Sequence, residues 1–203
     1  MKSRILAIIL AVIVVQAAMG CSSSPKVTRT EIGKVVDLSG NWNDTDSKLV
    51  VEEMMKDCLA QSWLNKFNEK NNREPVVIIG KIYNRTSEHI SSNVFLIELE
   101  KNLLNAAHIN FVVSRQERLD VREERNDQQA GLTDPNTVKP LGQETGADFM
   151  LQGSIDSVKD EIKGKYVILY QVNLELVDLT NNRKAWIGLK KIKKLVEKSS
   201  FSL

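Results

Sequence analysis

Apolar residues recur at Val50, Val51, Met54, Met55, Cys58 and Leu59, a three-and-four spacing that predicts a helix. Asp44, Thr45 and Asp46 precede it as N-cap types, and Glu52 and Glu53 fall in its first turns, where the helix dipole favours anions. A second short helical piece over 63–68 runs into the breaker cluster Asn71-Asn72-Arg73-Glu74-Pro75. The period then changes. Val76-Val77-Ile78-Ile79-Gly80-Lys81-Ile82 is a nearly continuous aliphatic run, the pattern of a strand covered on both faces. A polar loop over 83–90 follows. Ser91 or Ser92 is placed to cap the next helix, whose stripe reads Phe95, Leu96, Leu99, Leu103, Ala106 and Ala107. Residues 109–114 read as a second strand, so strand, helix and strand make a βαβ unit.

The segment 115–130 is the most highly charged. At 100° per residue Arg115, Arg118, Arg122 and Arg125 share one stripe, with Glu117, Asp120, Glu124 and Asp127 nearly opposite. The plain reading is a solvated helix held by arginines paired with acidic neighbours. The functional alternative is an exposed arginine ridge that meets a partner. Residues 131–140 read as a loop and 141–145 as the end of a short helix closed by Gly146. A third strand is expected over 147–157. Tyr166, Ile168, Tyr170, Val172, Leu174 and Leu176 alternate through a fourth, over 166–176. Thr180-Asn181-Asn182-Arg183 has hairpin turn chemistry, and 185–196 returns as a fifth strand. The expected fold is α/β: a single mixed-sheet domain, a βαβ unit followed by an antiparallel meander, with helices packed on the sheet.

The N-terminus has a different pattern. Lys2 and Arg4 precede an uncharged aliphatic run, and Ala18-Met19-Gly20 puts small residues before Cys21, as in a secretory signal peptide. The run is shorter than the roughly 20 residues that span a bilayer comfortably. Cys21 directly after Gly20 resembles the lipobox of bacterial lipoproteins, with Ala18 where Leu is usual. That resemblance implies a diacylglycerol on the Cys21 thiol and cleavage before it. Ser22 in place of Asp implies sorting to the outer membrane. The expected organisation is a signal peptide over 1–20, a lipidated N-terminus and flexible tether over 21–39, the domain over 40–198 and a tail over 199–203. Fully extended, the tether reaches on the order of 60 Å.

Composition narrows the function classes. The 203 residues are 42% hydrophobic and 27% charged, enough for a real core. A net charge of +2 and 5% aromatics lack the clustered basic excess and stacking platforms of a nucleic-acid binder. With Cys21 lipidated, Cys58 has no partner for a disulfide, and its place on an apolar stripe makes it a small core residue. The sequence has no nucleophile elbow, zincin motif, phosphate-binding loop or dinucleotide fingerprint. His89 and His108 stand far apart, and no cluster has metal-ligand spacing. No cofactor is expected.

Four segments carry a resemblance: Leu38-Ser39-Gly40-Asn41-Trp42-Asn43-Asp44; Pro75-Val76-Val77-Ile78-Ile79-Gly80 with Asn84-Arg85-Thr86; Arg122-Glu123-Glu124-Arg125 with Asp127-Gln128-Gln129; and Trp186-Ile187-Gly188 with Lys190-Lys191-Ile192-Lys193-Lys194. Together they resemble the LpoB-type activators of penicillin-binding proteins, over about 38–194. The resemblance implies an outer-membrane lipoprotein on the periplasmic face. It implies no enzyme activity, but binding and stimulation of a bifunctional penicillin-binding protein. Members that cross the periplasm carry a long disordered tether; here it is short. A structural or assembly lipoprotein of an outer-membrane export or envelope complex is the alternative, and oligomers would favour it, since the activator is expected to be a monomer. An unrecognised hydrolase using His89, Glu88 and Arg85 is the third reading. The expected docking residues are the loop Asn84, Arg85, Thr86, Glu88 and His89, whose backbone is held by a buried strand. Arg118, Arg122 and Arg125 are the second candidate surface.

Overall fold

The computed structural model describes residues 27–31, 33–105 and 108–197. The signal peptide, Cys21, Ala106, Ala107 and the tail lie outside the described residues. The chain divides into two units, residues 1–35 and 36–203. In the first, the Lys34 amide donates to the Glu31 carbonyl at 3.1 Å. All that follows concerns the second.

Helix α1, Asp44–Ala60, opens with a capping box: Asp46 N–H donates to Asn43 Oδ1 at 3.1 Å and Asn43 N–H to Asp46 Oδ2 at 3.0 Å. The cap is therefore Asn43 and not one of residues 44–46. Val50, Val51, Met54, Met55 and Cys58 form the buried face. The helix ends at Gln61, and α2, Ser62–Asn71, starts at once. Trp63 folds back to donate its indole N–H to the Cys58 carbonyl at 2.8 Å, which also accepts from the Gln61 amide at 3.3 Å, so the last turn of α1 is capped from both groups. Asn72, at φ 49°, stops α2 in the left-handed conformation.

Strand β1, Val76–Asn84, is the expected central strand, and Val76, Val77, Ile78 and Ile79 are all buried. Helix α3, Ser92–Leu104, buries Phe95, Leu99 and Leu103, its predicted stripe. Strand β2 is only Asn110–Phe111, shorter than the 109–114 expected. The reason is Ser114. It caps α4, Arg115–Asp127, in a second capping box, with Ser114 N–H donating to Glu117 at 2.8 Å, and so turns the chain out of the sheet. Helix α4 buries no residue, and a π-helical turn, Gln128–Leu132, closes it around Gly131 at φ 87°. The expected short helix over 141–145 is absent. A turn stands there instead, with Gly142 at φ 77° where a helix needs negative φ.

Three long strands complete the sheet: β3, Phe149–Ile162; β4, Lys165–Asp178; and β5, Lys184–Glu197. The order is β2-β1-β3-β4-β5, with β1 parallel to β2 and β3, and the β3–β4 and β4–β5 pairs antiparallel. This is the mixed α/β sheet expected from the sequence. The hairpin β3–β4 runs five residues beyond the predicted end at Ser157, because Ile162 still pairs with Lys165.

Register fixes which face is the core. Leu151 pairs with Leu176, Ile155 with Val172, and Leu176 with Trp186, so these side chains point to one side, where α1, α2 and α3 supply Met55, Trp63 and Leu99. Each such buried aliphatic or aromatic side chain contributes about 1.5–3 kcal/mol. Gly188 belongs to the same face. The Trp186 ring lies across it and Met54 Cε is 2.9 Å from where a Cβ would stand, so only glycine fits.

Candidate functional site

The loop after β1 is braced by its own side chains. Asn84 Oδ1 accepts from Thr86 N–H at 3.0 Å and from its hydroxyl at 2.8 Å, while Asn84 Nδ2 donates to the Glu88 carbonyl at 2.8 Å. Thr86 Oγ1 in turn accepts from Glu88 N–H at 3.1 Å. The Glu88 carboxylate leaves the loop. One oxygen accepts from Trp42 N–H at 3.0 Å and the other from the Tyr170 phenol. The Arg85 amide donates to Ile155 O at 2.8 Å, which fastens the loop to β3.

The five loop residues selected from the sequence therefore divide into two sets. Asn84, Thr86 and Glu88 spend their polar groups on the loop's shape. Arg85 and His89 are exposed. The Arg85 guanidinium lies over the Tyr83 ring, 5.8 Å from its centroid, and Tyr83 is 53% exposed. Sequence reading missed Tyr83 as a partner, although strand alternation puts positions 83 and 85 on one side.

The second surface is built differently. Arg122 makes a two-pronged bond to Glu144, from Nε at 2.9 Å and Nη2 at 2.7 Å, and Arg125 Nη1 reaches the same carboxylate at 3.0 Å. The Arg122 and then the Arg125 hydrogen bonds hold the Glu144 carboxyl well below the usual range, at about 2. The acid that holds the ridge is thus a loop residue distant in sequence, not a helical neighbour. Arg118 is half-buried, and its Nε has no hydrogen-bond partner. Glu144 carried no sequence signal.

A third polar cluster fastens the start of the domain. Lys194 lies 2.6 Å from Asp46 and 3.1 Å from Asp37, and Tyr170 lies 3.1 Å from the Gly40 carbonyl. His89 and His108 occupy separate loops, and His108 lies 3.5 Å from Glu74. Among the described residues, no group of three or more His, Cys, Asp or Glu side chains is placed to hold a metal ion. Among the same residues, no helix is long and apolar enough to cross a membrane.

No curated protein matches the chain. Among solved structures it is similar to lipoprotein GNA1162 from Neisseria meningitidis, at 19% identity and TM-score 0.39, covering 64% of this chain and 87% of that one. It is similar to the LpoB C-terminal domain from Salmonella enterica, at 17% identity and TM-score 0.35, covering 68% and 94%. The LpoB C-terminal domain from Escherichia coli gives 14% identity and TM-score 0.38, covering 72% and 94%. The family model described as peptidoglycan-synthase activator LpoB matches residues 46–192, from the first turn of α1 to the middle of β5. On that match, the chain belongs to the LpoB family of peptidoglycan-synthase activators.

Proposed function

We propose that this protein is a non-catalytic lipoprotein that docks on a bifunctional penicillin-binding protein and stimulates its synthesis of peptidoglycan. The observation that carries this reading is the family match over residues 46–192. Cys21 holds the acyl anchor in the outer membrane, and the domain faces the periplasm as a monomer. Two or more acyl chains anchor a protein stably, at about 0.8 kcal/mol per buried methylene. The tether reaches on the order of 60 Å when extended, so the synthase meets the domain within that distance of the membrane.

Stimulation needs only tighter binding to the active conformation than to the resting one. A tenfold preference is worth about 1.4 kcal/mol. The main docking surface is the face formed by Arg85, Tyr83 and His89, with Asn84, Thr86 and Glu88 as the scaffold that holds it. A braced loop loses little entropy on binding, and arginine and tyrosine are enriched at binding hot spots. Arg122 and Arg125 stand second, because docking on them requires a partner carboxylate to displace Glu144. Arg118 completes that ridge.

Affinity capture tests the reading. The full-length protein in detergent is used to retain partners from solubilised envelope. A penicillin-binding synthase in the retained fraction, and a monomer by sedimentation, is the expected result. A retained fraction without any synthase contradicts it.

A further inference from the structure

We propose that the cleft between α2 and the β4–β5 turn is a second binding site, for an acidic glycopeptide of the cell wall, distinct from the surface that meets the synthase. The ligand class rests on the proposed function, which places the domain beside that polymer. The cleft rests on geometry alone.

Its volume is about 370 Å³, room for part of a sugar–peptide unit. Ser62, Lys66 and Lys70 come four residues apart along α2 and form one wall. The turn after β4 forms the other wall, with Thr180, Asn181 and Arg183. That turn is rigid. Asp178 accepts from Thr180 N–H at 2.8 Å and from Asn181 Nδ2 at 2.9 Å, and Asn182 takes φ 59°. Behind the walls, Phe149 meets Trp63 and Phe67 edge to face at 5.1 Å and 5.4 Å, and half-buried Phe67 offers an apolar surface.

The charge balance points to the ligand. Of the two carboxylates of the cleft, Asp148 is neutralised by Arg73, at 2.7 Å for each oxygen, while Asp178 is hydrogen-bonded by its own turn and keeps its charge, one against the three cations that follow. Lys184 is paired with Glu175. Among the described residues, Lys66, Lys70 and Arg183 have no ion pair or side-chain hydrogen bond. Like charges four apart on a helix oppose its formation, so the Lys66–Lys70 pair works against folding. Three unpaired cations around a cleft with an apolar ring and the hydroxyls of Ser62 and Thr180 suit a ligand with several carboxylates on a hydroxyl-rich scaffold. Stem-peptide carboxylates meet the cations, and the sugar packs against the part of Phe67 left open by Arg73, whose guanidinium lies 5.0 Å from that ring's centroid.

Titration calorimetry with the full-length protein and a purified uncross-linked disaccharide-peptide tests the site. Binding is expected, weakened at least tenfold in the triple variant Lys66→Gln/Lys70→Gln/Arg183→Gln and unchanged in Lys191→Gln/Lys193→Gln. Amidation of the glycopeptide carboxylates should abolish it. Circular dichroism checks the triple variant, and the single Lys66→Glu replaces it if it does not fold. Absence of binding, equal binding by the amidated ligand, or full binding by the folded variant overturns the proposal. So does inorganic pyrophosphate binding tenfold tighter than the glycopeptide, which would make the occupant a phosphate. Stimulation of the synthase, measured in parallel, should survive the triple substitution. Its loss would assign the cleft to the synthase interface and overturn a separate site. Failure of glycopeptide binding alone leaves synthase docking intact.

Discussion

Glu88, in the loop that follows β1, and Tyr170, on β4, are joined through the Glu88 carboxylate and the Tyr170 phenol. Because the same carboxylate takes Trp42 N–H, one side chain fastens the loop, the fourth strand and the start of the domain to one another. Glu88→Ala leaves that amide without its acceptor and should cost about 1–3 kcal/mol. At about 2–4 °C per kcal/mol for a protein of this size, the melting temperature should fall measurably. Tyr170→Phe should cost less, about 1 kcal/mol.

Tyr170 also predicts an alkaline limit. Burial first, and then the Glu88 carboxylate, push its phenol well above the ordinary 10.0. The folded chain thus keeps the proton where the unfolded chain gives it up. That stabilisation is complete below about pH 10 and is lost as the pH rises beyond it. Chemical denaturation across pH 8–11 should show a shallower loss in Tyr170→Phe than in the wild type.

Glu144 gives the opposite dependence. Its carboxyl sits at about 2 against an ordinary 4.5, so the tie between α4 and its loop is fully present above about pH 4.5. It weakens as the pH falls from there towards 2. Hydrogen-exchange protection in α4, taken relative to the intrinsic rate at each pH, should fall over that window in the wild type and be low throughout in Glu144→Gln. Equal protection in both proteins would contradict the tie.

Trp186 and Trp42 differ in depth. Trp186 is 5% exposed, and its indole N–H donates to Asp57 at 2.7 Å. Trp42 is half-buried between Phe95 and Tyr170, with its indole N–H on Ser47 at 2.7 Å. Trp186→Ala should cost about 3–5 kcal/mol, and Trp42→Ala about 1–3 kcal/mol. Thermal melts check the order; an unchanged melt for Trp186→Ala would contradict it.

Cys58 should be inert. Burial pushes its thiol up to about 12, so almost no thiolate exists at neutral pH. A disulfide exchange reagent should titrate it only once denaturant has unfolded the domain.

Local patterns in the sequence carried the core. The stripes of α1 and α3, the aliphatic run of β1 and the alternation of β4 are each set by neighbours within a few residues, and each forms as read. Polar links over long separations were not legible. Glu88 meets Tyr170 across 82 residues, and Arg122 meets Glu144 across 22. Nothing local marks either acid as a partner. The early end expected for β3 has the same origin: residues 158–162 are mostly charged, and only pairing with β4 keeps them in the sheet. For the docking loop, the sequence showed where function concentrates but not which side chains brace it and which face outward.

The most direct test of the account is a binding titration of a purified bifunctional penicillin-binding protein with the full-length protein, wild type beside Arg85→Ala. Polymerisation rate is measured at each concentration. The account predicts saturable stimulation by the wild type. It predicts at least tenfold weaker binding by Arg85→Ala, whose exposed side chain leaves the melting temperature unchanged. The triple variant Arg118→Ala/Arg122→Ala/Arg125→Ala should lose less. Equal binding and stimulation by folded Arg85→Ala, or no stimulation by the wild type, would contradict it.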